Sequence, residues 1–142
     1  MSNIVRTVSI SHEAALRTVS TGIEIATRHG IAACITVVDP ALGMVAMGRA
    51  DGTTPHSMET SRRKATTAAS TRRTTGWMQG DFALALPLGT GNSLTNIKGG
   101  FPIIFDGEVV GGLGVAGGPP ETDAEIAVEI LQAIGAEEVA VS

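Results

Sequence analysis

The sequence has no tyrosine, one tryptophan, three phenylalanines and one cysteine in 142 residues. The lone Cys34 excludes an internal disulfide and a cysteine-built zinc site. The 3% aromatic content leaves few rings on which bases could stack, and a net charge of −4 gives no general attraction to nucleic acid. No nucleic-acid partner is expected. No apolar run approaches the ~18–20 residues of a membrane span, so no membrane partner is expected either. The first residues, MSNIVRTVSISHE, lack the basic-then-apolar layout of a signal peptide, and a cytoplasmic location is the expectation. Charged residues are scarce at 17%, whereas hydrophobic ones reach 43%, a balance that excludes intrinsic disorder. The length predicts a single domain over 1–142 with an ordinary core.

Basic residues are missing altogether after Lys98, where eight acids follow. Half of the ten, namely Arg62, Arg63, Lys64, Arg72 and Arg73, fall within twelve positions. Such a stretch is a solvated face, a partner for the acidic C-terminal helix, or a collector of an anionic ligand.

Residues 3–10 read as extended. Ser11 fits a helix N-cap and Gly30 its stop, with Leu16, Val19, Ile23 and Ala26 as the buried stripe. Ile31 to Val38 is a strand, residues 39–43 a turn, and Met44 to Arg49 the return strand. Thr54 or Ser57 starts a helix running to about Thr74, with a small inner face of Met58, Ala65, Ala68 and Ala69. Trp77, Met78, Phe82 and Leu84 suggest one short helix, followed by a glycine-rich loop, LGTGNSLTNIKGG, of the kind that is often functional. Phe101–Phe105 and Glu108–Val115 form a hairpin about the Asp106-Gly107 turn. On its second strand Val109, Leu113 and Val115 face one way. Gly112 and Gly114 face the other, where a helix rather than a flat ligand is expected to pack closely. Thr122 is read as the cap of the last helix, with Glu125 completing a capping box and Ile126, Ile130, Leu131 and Ile134 buried. Hairpins require antiparallel pairing, so the class is α+β, a mostly antiparallel sheet with helices packed on it.

Taken in order, these motifs resemble the GlcG/HbpS-like proteins, the haem-degrading or haem-binding domains. The segment VVDPALGMVAMGRADG is similar to their VVDxxGxxxxxxRxDG, and SMETSRRKATTAA to their SxxxAxxKAxTAA with Lys64 at the lysine. Gly99-Gly100-Phe101-Pro102, the DGEVVG at 106–111 and the GGPPETD at 117–123 match their remaining signatures. The resemblance covers roughly residues 8–135. It implies a profilin-like, five-stranded antiparallel sheet and assembly as a homo-oligomer, from dimer to hexamer or octamer. It also implies a small-molecule ligand: some relatives bind haem, one is the C-terminal domain of PduO-type cobalamin adenosyltransferases, and others are encoded beside genes for oxidising small acids or aromatics.

Haem needs an apolar slot, an axial ligand and partners for its propionates. His56, in the entry to the basic helix, is the metal-ligating candidate if haem binds. The resemblance does not supply this ligand. His12 and His29, at the two ends of the first helix, are read as a solvated histidine and a dipole-stabilising one. Lys64 among small residues can orient a carboxylate, form an imine or do base work. Its alternative is a salt bridge to Asp39, Asp51 or Glu121. Glu59, Lys64 and Asp123 are the candidate catalytic residues. Arg63 is placed to pair with Glu59 or to clamp a carboxylate. Gly99, Gly100, Pro102, Gly117, Gly118 and Glu121 are candidate ligand contacts, because glycine loops offer unobstructed N–H groups before a helix. Cys34 is expected to be core.

Three functions follow. The first is a small oligomeric protein whose pocket, between the Ser57–Thr74 helix, loop 88–102 and the start of the last helix, holds a small organic or tetrapyrrole ligand. The second is a cofactor-independent isomerase, hydratase or hydrolase acting on a small carboxylic acid. The third is an accessory or structural subunit.

Overall fold

The computed structural model describes residues 2–141. Its elements are α1 (His12–Arg28), β1 (Cys34–Val38), β2 (Met44–Arg49), α2 (Ser57–Thr71), α3 (Phe82–Gly89), β3 (Gly100–Phe105), β4 (Glu108–Ala116) and α4 (Pro120–Ala133). The strands make one antiparallel sheet in the order β2-β1-β4-β3. The α+β class holds, with four strands rather than five. Residues 3–10 add no strand: Ile10 N–H donates one backbone bond to Val110 at 2.9 Å, and Ser2 to Ser9 stay exposed. Among the described residues no helix is long and apolar enough to cross a membrane.

The sheet is covered on both faces. Alternation along β1 sends Ile35 and Val37 to one side, where they meet Leu113, Val115, Phe101 and Ile103 and the buried faces of α1 and α4. Cys34, Thr36 and Val38 take the other side, under α2. Cys34 is fully buried, as expected, and burial pushes its thiol above the usual range despite the Ser61 and Thr36 hydroxyls beside it.

The α2 side is closed by absence of side chains. A Cβ on Gly112 would overlap the Ala65 carbonyl oxygen, one on Gly114 that of Ser61, and one on Gly100 that of Lys64. The helix expected against the strand glycines is therefore α2, with Ala65, Ala68 and Ala69 buried. The hairpin turn is as predicted, Asp106 and Gly107 both having positive φ (52° and 75°).

Four local expectations are corrected. Leu16 is 57% exposed, and the buried stripe of α1 runs through Ala15, Thr18, Val19, Gly22, Ile25 and Ala26, rotated towards its smallest residues. The register shift after Ile103 leaves Val110 bulged out of the ladder. Val110 thus joins the core with Leu113 and Val115, while Val109 does not. Neither Thr54 nor Ser57 caps α2, since their hydroxyls bond each other at 2.6 Å and α2 ends at Thr71 with Arg72 left-handed. Helix α4 begins at Pro120 behind Pro119, because proline at the first positions costs no backbone bond. Thr122 and Glu125 lie inside it and form no capping box. The Ser11 cap of α1 holds, its hydroxyl accepting from Ala14 N at 3.1 Å.

Candidate functional site

The start of α4 fixes the chemistry of one end of the molecule. Because α4 begins at Pro120, Asp123 falls in its first turn and faces inward, 1% exposed. Lys64 lies in the middle of α2, among small residues that bring the helix close to the sheet. Its chain is also 1% exposed. The Lys64 Nζ donates to Asp123 Oδ2 at 2.9 Å and to the Val115 carbonyl at 2.7 Å, two of its three hydrogens. Asp123 Oδ1 accepts from Gly118 N at 3.0 Å. One buried ion pair thus ties α2, β4 and α4 together. The salt bridge exists, with a partner other than Asp39, Asp51 or Glu121.

Burial pulls the Lys64 ammonium below its ordinary range and pushes the Asp123 carboxyl above its own, each opposed by the partner's charge. Removing ions from water disfavours both charged forms, and their mutual attraction returns part of that cost. Gly99, at φ +125°, packs over the pair: a Cβ there would lie 2.9 Å from Nζ and 3.1 Å from the Asp123 Cβ.

This pair forms the floor of a cleft of about 400 Å³. Thr54, His56, Ser57 and Thr60 border it from the start of α2, Ala116 to Gly118 and Pro120 from the β4–α4 junction, and Ile97 from the loop before β3. Two helices of 15 and 14 residues therefore present their N-termini to one space. The N–H groups of Ser57 to Thr60 are already given to the carbonyls of Thr54, Pro55 and His56, so what the α2 end offers is its helix dipole, which is favourable to negative charge.

The structure brings Lys64, Asp123, His56, Gly117 and Gly118 to this cleft. Gly99 packs against the pair at its floor, and the remaining candidates are set elsewhere. Glu59 is exposed and pairs with Arg62, and with Arg63 Nε at 3.6 Å. Glu121 is exposed and pairs with Lys98 at 3.0 Å. Gly100 and Pro102 are buried in β3 opposite Gly114 and Gly112. The Gly118 N–H is already given to Asp123. Of the basic stretch, Lys64 alone reaches an acid of α4, while Arg73 lies over the Trp77 ring at 4.0 Å. Thr54, Thr60 and Ile97 are cleft residues that sequence reasoning did not single out. Their hydroxyl and alkyl chemistry carries no motif, and only the fold gathers them.

His12 and His29 border neither this cleft nor the wider one between the end of α1 and Arg49. His29 Nε2 instead meets Glu129 at 2.9 Å, joining α1 to α4. Measured against haem, the cleft supplies one histidine at its mouth. Its apolar wall is limited to Ile97, Ala116 and Pro120, no arginine borders it, and its one cation is bound to Asp123. A single chain therefore meets the axial requirement and not the slot or the propionate partners.

Residues 10–132 match the family model for haem-degrading HbpS-like proteins. Protein GlcG of Escherichia coli K12 is 31% identical over 110 residues, covering 77% of this chain and 82% of GlcG. The crystal structure of Klebsiella pneumoniae ORFY superposes with a TM-score of 0.87 at 27% identity, over 97% of this chain and 99% of that one. The PduOC:haem complex does so at 0.85 and 25% identity, over 94% and 100%. The chain belongs to the HbpS-like family.

Proposed function

We propose that this member of the HbpS-like family binds a small organic anion, a carboxylate in the simplest case, in the cleft between the N-termini of α2 and α4. The observation that carries the reading is the convergence of two helix N-termini over a floor whose own charges cancel. Lys64 and Asp123 neutralise each other, and Glu59 and Glu121 are held outside by cations. What remains in the cleft is the partial positive charge of the helix ends. One hydrogen of the Thr54–Ser57 hydroxyl pair is free to donate to a carboxylate, the Thr60 hydroxyl can exchange its long 3.3 Å bond to the His56 carbonyl for one to the ligand, and Ile97 and Ala116 can cover its short alkyl part. A volume of about 400 Å³ lies within the range of small-ligand sites.

Haem is the second reading, favoured by His56 at the mouth and by the haem complex of a structural relative. His56 would be the residue to hold haem, which when bound would supply redox and ligand-binding chemistry at its iron.

Calorimetric titration with two- to four-carbon carboxylates, beside an absorbance titration with hemin, separates these. Saturable carboxylate binding weakened about tenfold by Thr60→Val supports the anion site, since a hydrogen bond to a charged group contributes about 1.5–3 kcal/mol. No saturable heat with any carboxylate, together with a stoichiometric hemin shift lost in His56→Ala, overturns it in favour of haem.

A further inference from the structure

His56 borders the α2–α4 cleft as the N-cap of α2, and its carbonyl accepts from Glu59 N and Thr60 N, both at 3.1 Å, which fixes its backbone at the mouth. Its imidazole is exposed and makes no hydrogen bond or ion pair among the described residues. The other two histidines are placed differently: His29 is paired with Glu129, and His12, at the start of α1, does not border the cleft. The charges around His56 are already met. Lys64 and Asp123 cancel at the floor. Glu121, at the start of α4, is held by Lys98 from the loop before β3, and Glu59, one turn along α2, is held by Arg62 and Arg63. Asp51, in the turn after β2, borders the other cleft beside Arg49.

We propose that His56 contacts the bound carboxylate and makes the affinity of the cleft depend on pH. This deepens the anion-binding reading and rests on it. Histidine is the side chain that ordinarily changes charge between pH 5 and 8. Because the other charges of the cleft cancel, uptake of a proton by this one imidazole turns the mouth from neutral to positive. Without a ligand, an imidazolium at a helix N-terminus is opposed by the dipole. A carboxylate seated between the two is attracted by both, so proton and ligand each favour the other's binding. The sign follows. The protonated form holds the anion more tightly, so affinity rises as pH falls through the range of histidine and levels off below it, and binding takes up protons. His56 lies at the mouth and not at the floor, so its contribution is that of a partly solvated ion pair, about fivefold in affinity at most.

The test is calorimetric titration of the full chain with lactate, pyruvate and 2-hydroxybutyrate, which stay ionised throughout, at pH 5.5, 6.5 and 8.0. His56→Gln and, as a control, His12→Gln are titrated beside the parent. The parent is expected to bind about fivefold more tightly at pH 5.5 than at pH 8.0. Proton uptake at pH 6.5 should show as a binding heat that varies with the ionisation enthalpy of the buffer. His56→Gln should bind at all three pH values as the parent does at pH 8.0, with no proton uptake, and His12→Gln should follow the parent. Should His56→Gln fail to fold, His56→Asn, a residue suited to the N-cap, is read the same way. One affinity across the whole range overturns the proposal and leaves the anion site standing, as does a pH dependence that survives in His56→Gln. Saturable binding at no pH overturns the anion site and this inference with it.

Discussion

Helices α2 and α3 invert the usual relation between composition and burial. Helix α2, SMETSRRKATTAAST, holds three consecutive cations and several hydroxyls, yet it packs on β1, β3 and β4, with Lys64 among the largest fully buried side chains of the protein. Helix α3, FALALPLG, is apolar throughout and buries nothing. The difference lies in how close a backbone can come. Ser61, Ala65, Ala68 and Ala69 present almost no bulk, and the strand glycines opposite present none, so α2 settles with its carbonyls where Cβ atoms would otherwise be. Burial at that distance removes water from everything on the face, including a lysine. Large apolar side chains on α3 confer no such approach within one chain.

The comparison breaks most sharply at Lys64. Lys64→Met leaves Asp123 buried without a cation, and removing one partner of a buried pair costs about 3–5 kcal/mol. The double variant Lys64→Met/Asp123→Leu should recover most of that loss, because two apolar residues need no compensation. Denaturant titration of the three proteins measures both steps. A double variant as unstable as the single one would show that packing geometry, not unpaired charge, governs the site. Gly114→Ala comes next. Its methyl would overlap the Ser61 carbonyl, and overpacking costs about 1–3 kcal/mol, with this site at the upper end since backbone must move. Gly107→Ala, with open space around it, is the contrast: its cost comes from positive φ alone. Equal losses at the two glycines would remove close approach as the reason α2 is buried.

A smaller effect concerns pH. In Lys64→Met, burial raises the Asp123 pKa and only the Gly118 N–H opposes it. A carboxyl whose folded pKa lies above the unfolded value of about 3.9 takes up a proton in the folded state first. Between those two values the folded state binds more protons, so stability falls as pH rises, by about 1.4 kcal/mol per unit at most. The variant should therefore lose stability relative to the parent as pH rises above the unfolded carboxyl value of about 3.9. Parallel stability curves for the two proteins over that range would mean Asp123 stays ionised without its lysine.

Much of this architecture was legible from local signals. The Ser11 cap, the Asp106-Gly107 turn and the alternation of Gly112, Leu113, Gly114 and Val115 depend on neighbours in sequence, and each appears as read. The partner of Lys64 did not, because 59 residues separate it from Asp123 and the pairing is decided by where α4 begins. Reading Thr122 as the cap would set Asp123 just inside the cap, among charges that merely complement the dipole. The Pro119-Pro120 start puts it in the same turn but facing Lys64 across β4. The bulge at Val110 left no signal either, since any valine pair fits either face until the partner strand fixes the register. At the candidate site, Lys64, His56 and the Gly117-Gly118 junction were visible as types and motifs. Thr54, Thr60 and Ile97 became neighbours only through the fold.

The smallest effect on folding, and the one that sharpens the comparison, is expected at α3. Leu84 and Leu88 are mostly exposed, and surface substitutions away from special features change stability by about 0.5 kcal/mol or less. Leu84→Glu/Leu88→Glu should accordingly leave the midpoint of denaturant unfolding almost unmoved. A variant that loses several kcal/mol would mean that α3 supports its own chain, and the contrast with α2 would be one of degree.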